Sequence, residues 1–345
     1  MPLYSTNLGI AVNPAACPPE VSGSGRDDVR LLAIDRFTGR QQHHHFRAIA
    51  EMFRPGDVLV VNNSAAIPAA LACQVDGADH VIHLAARLNA HRVIVELRQK
   101  GGLPDWSALR PGTTISLLNE PGHVISRGSI IRRFHPRSRF WVLETDQDWY
   151  ACANLLGRPI RYHYVDRPYS MEAYKTIFGR IPGSSEMPSA SRPFTQSIVE
   201  TLQRRGVILT ELTLHTTVSS HEIEDGDVDP PLVPEWFNIP AAAQRTVLKA
   251  NHEGRAVIAL GTTVVRALET WAWMGKTHGW TTHLVTPDRP PNLVSGLVTG
   301  LHDNFTSHLW LLYAFLSPEH LKTSYDDARR QGYHWHEFGD LSLIR

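Results

Sequence analysis

The sequence predicts a mixed α/β fold interrupted by a smaller all-β unit, and three observations carry that reading. Helix-period and strand-period segments alternate near both ends of the chain, the texture of an α/β protein. Between about Leu71 and Tyr150 that texture is replaced by short alternating strands, HVIHLAAR, HRVIVELR, TTISLL, HVISRGSIIRRF and RFWVLE. Turn signals GGLPD, RPGT and EPGH separate them, as in a small barrel or sandwich. Third, RAVIALGTTVVRALETWAW, Arg255 to Trp273, runs a buried strand directly into a helix with no spacer. The expected organisation is a discontinuous α/β domain, residues 1–71 and 151–345, with an inserted β domain at 72–150.

Each element has a local reason. Residues 11–25, rich in Pro, Ala, Gly and Ser, form a loose lead-in. RLLAID is a strand, RFTGR a hairpin turn, QQHHHF the return, and RAIAEMF a short helix. RPGDVLVVNNS supplies a Pro-Gly turn, a buried strand from Val58 to Val61, and Asn62-Asn63 at its end. After Ala151, SIVETLQRRG is a helix stopped by Gly206, and VILTELTLHTTV is a strand. IPAAAQRTVLKANHEG is a helix with Pro240 near its start and Gly254 past its end. RAVIAL is a strand and VVRALETWAWMG a helix closed by Gly275. LVSGLVTGLH is strand-like, SHLWLLYAFL and SPEHLKTSYDDARRQG are helices, and YHWHEFGDLSLI is a tail. There is no internal repeat, and His43-His44-His45 is the one low-complexity tract.

Composition bounds the function. The 345 residues suit about two domains. Lys+Arg and Asp+Glu are both 34, so any nucleic-acid contact must come from a local patch rather than bulk charge. Cys17, Cys73 and Cys152 are odd in number and far apart, which fits neither a disulfide framework nor a zinc knuckle and points to a reduced cytoplasm. The amino terminus lacks a basic region followed by an apolar one, and no apolar run reaches the ~18 residues of a membrane span.

The Gly-Thr-Thr turn is the chemical focus. A strand that runs straight into a helix exposes the helix's first N–H groups, which have no intrahelical partner, at the positive end of its dipole. Such a place holds a carboxylate, a phosphate or a polar ligand edge. Gly261 allows close approach, Thr262 and Thr263 offer hydroxyls, and Arg266 and Glu269 share one helix face. The same residues also suit a well-capped crossover helix with a surface ion pair. The dinucleotide fingerprint and the P-loop are both excluded by spacing.

GRAVIALGTTVVRALE resembles a signature of the S-adenosylmethionine:tRNA ribosyltransferase-isomerase family of queuosine biosynthesis. Other stretches match in the same order. RDDVRLLAIDRFTG with HHHF resembles the family's start, and PGDVLVVNNSAAIPAAL its Asn-Asn motif. YKTIFGRIPGSSEMPSASRPFT resembles a Tyr-Gln-Thr-Val-Tyr opening and a Pro-Thr-Ala-Gly-Leu-His-Phe-Thr loop. LTLH at 212–215, PEWF at 234–237, VTGLH and the closing HEFGDLSLI complete the series.

The resemblance implies a large α/β domain that itself contains a β-barrel, with a smaller barrel inserted. It implies ribosyl transfer from S-adenosylmethionine, a substrate rather than a cofactor, to a 7-aminomethyl-7-deazaguanine base in tRNA, with release of adenine and methionine. The donor is expected at Gly261, Thr262, Thr263, Arg266 and Glu269, at Ser189 and Ser191 of the PSASRPF loop, and at Asn62 and Asn63 through paired amides. The sulfonium acidifies its neighbouring carbon, so a base is required, and His215 and His302 match family histidines at strand ends.

Several motif positions depart from the family. Both arginine slots of the Asn-Asn motif are Ala65 and Ala70, and the loop's His and Gly slots are Pro193 and Ser191. Thr217 to Ile223 replaces Gly-Leu-Gly-Thr-Phe-Arg-Pro, and Gly300-Leu301-His302 replaces Asn-Phe-His. Arg192, His221 and Asp303 are polar replacements. The donor site is therefore better preserved than the tRNA site, and a small-molecule acceptor is the alternative. Against that, Arg127, Arg132, Arg133, Arg137 and Arg139 interleave with Phe134, Phe140 and Trp141, a pattern that holds tRNA phosphates and bases or simply protects strand edges. Two further classes stay open: a metal enzyme using His43–His45, His302 with His308, or His334 with His336 and Glu337, and a nucleoside-binding protein without turnover.

Overall fold

The computed structural model describes residues 5–99, 105, 109–218 and 232–345. The chain opens with the antiparallel pair β1 (Arg30–Ile34) and β2 (Gln41–His45), then β3 (Val58–Asn62) and the short β4 (Ser64–Ala66). β5 (Ala70–Val75), β6 (Ala78–Asn89), β7 (Arg92–Gln99), β8 (Thr114–Leu118), β9 (Val124–Arg133) and β10 (Phe140–Thr145) follow. These six strands close on themselves in the order β10-β7-β6-β5-β8-β9, each pair antiparallel. Their alternate inward residues, among them Leu71, Cys73, Ile82, Leu84, Val93, Val95, Ile115 and Leu117, fill the barrel. Trp149, Tyr150 and Ala153 of α1 (Trp149–Leu156) join that core.

The remainder comprises β11 (Ile181–Ser184), α2 (Gln196–Arg204), β12 (Ile208–Leu214), β13 (Glu235–Asn238), α3 (Ala241–His252), β14 (Val257–Leu260) and α4 (Thr262–Met274). β15 (His278–Thr281), β16 (Gly296–Gly300), α5 (Ser307–Tyr313), α6 (Pro318–Arg330) and β17 (Leu341–Ile344) complete it. Nine strands form one sheet in the order β15-β13-β12-β3-β14-β16-β17-β1-β2. β12, β3, β14 and β16 are mutually parallel at its centre.

Both faces of that central block are covered, so its strands read as unbroken apolar runs. Val58 and Val60 of β3, with Val257 and Ala259 of β14, face α3 and α4. Leu59, Val61, Ile258 and Leu260 face the opposite way, toward Ile49, Phe53 and α2. The mixed α/β architecture with a small closed barrel is as expected. The larger unit differs in one detail, since its strands form an open sheet rather than a second barrel. The edge strand β2, QQHHH, is polar and largely exposed, which suits an unpaired edge. Among the described residues no helix is long and apolar enough to cross a membrane.

Candidate functional site

The four parallel strands end at the same edge of the sheet, so the turns after them converge, the usual ligand position in open α/β sheets. Gly261 follows β14, His215 follows β12, Asn63 follows β3, and Leu301-His302-Asp303 follows β16. A cavity of about 210 Å³ lies there. Its walls include Ser189, Gly261, Thr262, Thr263, Arg266, His302 and Asp303, with Tyr164, Glu186, His308, His336 and Glu337.

The strand-to-helix turn has the form its sequence demands. Gly261 sits at φ 91° and ψ 154°, a region essentially closed to residues with a Cβ. Its amide donates to the Val298 carbonyl at 2.8 Å, which ties β14 to β16 at the rim. No side chain caps α4; the amides of Val264 and Val265 reach the Gly261 carbonyl at 3.2 and 3.5 Å, and those of Thr262 and Thr263 come before the first intrahelical bond. Arg266 reaches Glu235 in an ion pair, and its Nε donates to the His283 carbonyl at 3.3 Å. Glu235 also accepts from the Thr217 amide at 3.2 Å.

Several expected site residues lie elsewhere, for clear reasons. Glu269 is fully buried away from the cavity, where it accepts the amides of Asn292, Leu293 and Val294 at 2.7, 2.9 and 3.0 Å. It fixes the entry to β16 and does not pair with Arg266. Burial raises its carboxyl pKa, and the three amides oppose that rise. Asn62 spends its amide on the backbone. Its Oδ1 accepts from Leu214 and Ser64, both at 3.0 Å, while its Nδ2 donates to the Leu214 carbonyl at 2.8 Å and to Thr263 Oγ1 at 3.3 Å. Asn63 accepts from Thr213 Oγ1 at 2.7 Å and donates to Glu211 at 3.1 Å. Neither asparagine lines the cavity, so neither has an amide left to read a base. Ser189 is on the wall, whereas Ser191 is buried behind it.

The two histidines also separate. His215 takes part in a Ser64–Ser184–His215 hydrogen-bond cluster, with Nδ1 2.7 Å from Ser64 Oγ. It stacks on Trp236 at 5.4 Å and lies outside the cavity lining. Burial lowers its pKa. His302 is on the wall, with Nε2 2.8 Å from Thr299 Oγ1 and its ring stacked on His308 at 4.4 Å. Burial, then the neighbouring His308 and His336, push it well below the usual histidine range.

Asp303, His336, Glu337, Tyr164 and Glu186 had no assigned place in a nucleoside site from sequence. In the sequence Asp303 stands out only as a polar replacement in a family motif, and His336 and Glu337 only as possible metal ligands, while Tyr164 and Glu186 carry no signal. His336 Nε2 lies 3.4 Å from Asp303 Oδ2, and its ring stacks on Tyr164 at 4.2 Å. Tyr164 donates to Glu337, at 2.8 and 2.7 Å to its two oxygens. Burial raises Asp303 to about 6 and lowers His336 to about 4. His334 and His336 do not share a strand face. His334 approaches Asn13 instead, and His336 adopts a positive φ of 72°. His43 is engaged by Asp327 at 2.7 Å and Tyr333 at 3.0 Å. Among the described residues no three His, Cys, Asp or Glu side chains converge as metal ligands.

Of the polar replacements, Asp303 reaches the cavity and Arg192 does not. Arg192 is buried, donates to both Glu20 oxygens at 2.9 Å and covers the Phe338 ring at 4.9 Å. His221 lies outside the described residues. The basic stretch of the barrel is also reordered by folding. Phe140 and Trp141 are both buried in the barrel's core cluster, so neither ring lies open between the arginines. Arg139 pairs with buried Glu96 at 2.5 Å, and Arg133 packs over Trp141 and donates to the Ser138 carbonyl at 2.6 Å. Arg127, Arg132 and Arg137 are exposed.

The whole chain has recognisable relatives. Residues 9–344 match the family model described as queuosine biosynthesis protein. The chain is 30% identical to the S-adenosylmethionine:tRNA ribosyltransferase-isomerase of Heliobacterium modesticaldum, over 92% of this chain and 93% of that one. It is 31% identical to the protein of the same name from Thermosynechococcus vestitus, over 93% and 90%. The crystal structure of the S-adenosylmethionine tRNA ribosyltransferase of Thermotoga maritima superposes with a TM-score of 0.51, at 26% identity, covering 97% of this chain and 96% of that one.

Proposed function

We propose that this chain, which belongs to the queuosine biosynthesis protein family, binds S-adenosylmethionine in the cavity at the carboxyl edge of the sheet and transfers its ribosyl unit. It is an enzyme of the transferase/isomerase kind, S-adenosylmethionine being a substrate and not a recycled cofactor. The carrying observation is the uncapped start of α4 opening onto that cavity. Its amides suit the carboxylate of the methionine part, and Thr262 and Thr263 add hydroxyls. Arg266, held by Glu235, lies one turn further in the same wall. Of the two histidines in family positions, His302 is the one close enough to take part in chemistry.

The products are adenine, methionine and a ribosyl unit ending as an epoxy-cyclopentanediol on a 7-deazaguanine base of tRNA. The relatives' shared name supports tRNA as acceptor. A second reading, a small-molecule acceptor, is favoured by Ala65 and Ala70 at the arginine slots. Calorimetry with S-adenosylmethionine tests the donor site. Thr262→Leu/Thr263→Leu should abolish binding, and unchanged binding overturns the placement. Adenine release measured with tRNA carrying 7-aminomethyl-7-deazaguanine, and with the free base, separates the acceptors. No release with either leaves a binding protein.

A further inference from the structure

We propose that Asp303 is the general base that removes a proton from the ribose methylene beside the donor's sulfonium, with His336 as its positioning residue. The proposal rests on the placement of S-adenosylmethionine in this cavity. His302, the neighbouring residue in the chain, is poorly arranged for the task. Its Nε2 is taken by Thr299, and one ring face is covered by His308.

Asp303 has the opposite arrangement. It lines the cavity; its Oδ1 is buried without a hydrogen-bond partner among the described residues, so the part of the carboxyl that a ligand can meet is on the Oδ2 side. Its Oδ2 faces His336 Nε2 at 3.4 Å. That imidazole is clamped flat on Tyr164, whose hydroxyl is tied to Glu337. Base, orienter and support for the orienter therefore follow in one chain of contacts, the arrangement an activated acid–base group requires. Loose apo spacing of 3.4 Å is ordinary for such a pair.

The electrostatics agree. Burial alone raises the carboxyl to about 6, which matches a base that works near neutrality, and His336 stays neutral there. The surrounding titratable groups are His302, His308, Tyr325, Tyr164, Glu337 and, behind His336, His163. The histidines at 302 and 308 are also held neutral by burial, so none of them neutralises the carboxylate. The positive sulfonium of the substrate is the missing counter-charge. The step balances simply: the proton passes to Asp303, and the C–H electron pair stays on the carbon as a sulfur ylide.

The test uses the full chain in D2O with S-adenosylmethionine, alone, with tRNA carrying 7-aminomethyl-7-deazaguanine, and with the free base. Mass spectrometry reads deuterium at the ribose methylene. Asp303→Asn should slow exchange by about 100-fold or more while the calorimetric Kd stays within about threefold. Asp303→Glu should recover part of the rate. At donor concentrations far below Kd, wild-type exchange should rise with pH around the free protein's midpoint near 6, and His336→Phe should slow exchange at every pH while the calorimetric Kd stays within about threefold. Near wild-type exchange by Asp303→Asn, exchange lost only in His302→Ala, or wild-type protein that binds the donor without exchanging it overturns the assignment. Wild-type protein that does not bind S-adenosylmethionine sinks the donor site instead.

Discussion

Two halves of one rim behave differently. The strand ends of β3 and β12 carry Asn62, Asn63 and His215, and those of β14 and β16 carry Gly261, Thr262, His302 and Asp303. Both sets are polar, both follow apolar strands, and both fall in family motifs. In the first half Asn62, Asn63 and the His215 Nδ1 are turned back on the protein, to Leu214, Ser64, Thr213 and Glu211. In the second the groups open onto a cavity. A polar residue at a strand end is thus a holder of the rim or a member of the site, and its partners decide which.

The largest break of this comparison is Asn62→Ala. It leaves the amide and carbonyl of Leu214 and the amide of Ser64 without their partner, in a fully buried place. Chemical denaturation should register a loss of about 3 kcal/mol or more, whereas Asp303→Asn, which removes a half-buried charge, should show no loss at pH 7. A well-folded Asn62→Ala protein that merely binds the donor weakly would move Asn62 into the site.

Next in size is an acid effect, carried by two histidines of the cavity wall and by His283 beyond it. His283, His308 and His336 are each lowered to about 4 by burial. Their unfolded counterparts take up protons from about pH 6.5 downward. Stability is therefore present above pH 6.5 and is lost as pH falls toward 4. Asp303, raised to about 6, works the other way between pH 6 and its unfolded value near 3.8, as do the buried carboxyls of Glu269, Glu337 and Asp340, while His83, His215 and His302 add to the histidine side. Melting temperatures should fall steadily from pH 7 to pH 4.5. A flat profile would show these rings to be solvated.

A smaller effect is expected at the turn itself. Gly261→Ala must place a Cβ at φ 91°, at a cost of about 1–3 kcal/mol. The space is adequate, since the nearest atoms would be Thr263 Oγ1 at 3.6 Å and Ala190 Cβ at 3.7 Å. Denaturation should show the loss, with donor affinity falling as the first amides of α4 are re-aimed. The smallest stability effect belongs to the exposed arginines. Arg127→Ala/Arg132→Ala/Arg137→Ala should change stability by less than about 0.5 kcal/mol. Filter binding across a salt series then shows whether they contact RNA, because lost phosphate contacts flatten the salt slope.

Much of the fold was legible. Five of the six barrel strands were announced by alternation and turn residues, β5 being the exception, and β14 followed by α4 by a switch of period at Gly261. The aromatic–basic interleaving on β9 and β10 does not lay its rings on the surface, because Phe140 and Trp141, on opposite faces of β10, are both buried, Trp141 on the inner side opposite Val95. The pairing of Arg266 with Glu269 was a fair helical guess. It failed because Glu235, brought in by β13, was closer, and three backbone amides claimed Glu269.

By itself the sequence determined the periods, the turns and the family motifs, and with them the small all-β unit and the abrupt strand-to-helix turn at Gly261. Those features are written within windows of about ten residues, because a side chain's face follows from helix or strand geometry alone. Only the tertiary structure decided which polar groups share a cavity. Asp303 after β16, His336 before β17 and Tyr164 after the barrel meet through packing, and no local period relates them. Burial, which sets their protonation, likewise belongs to the assembled fold.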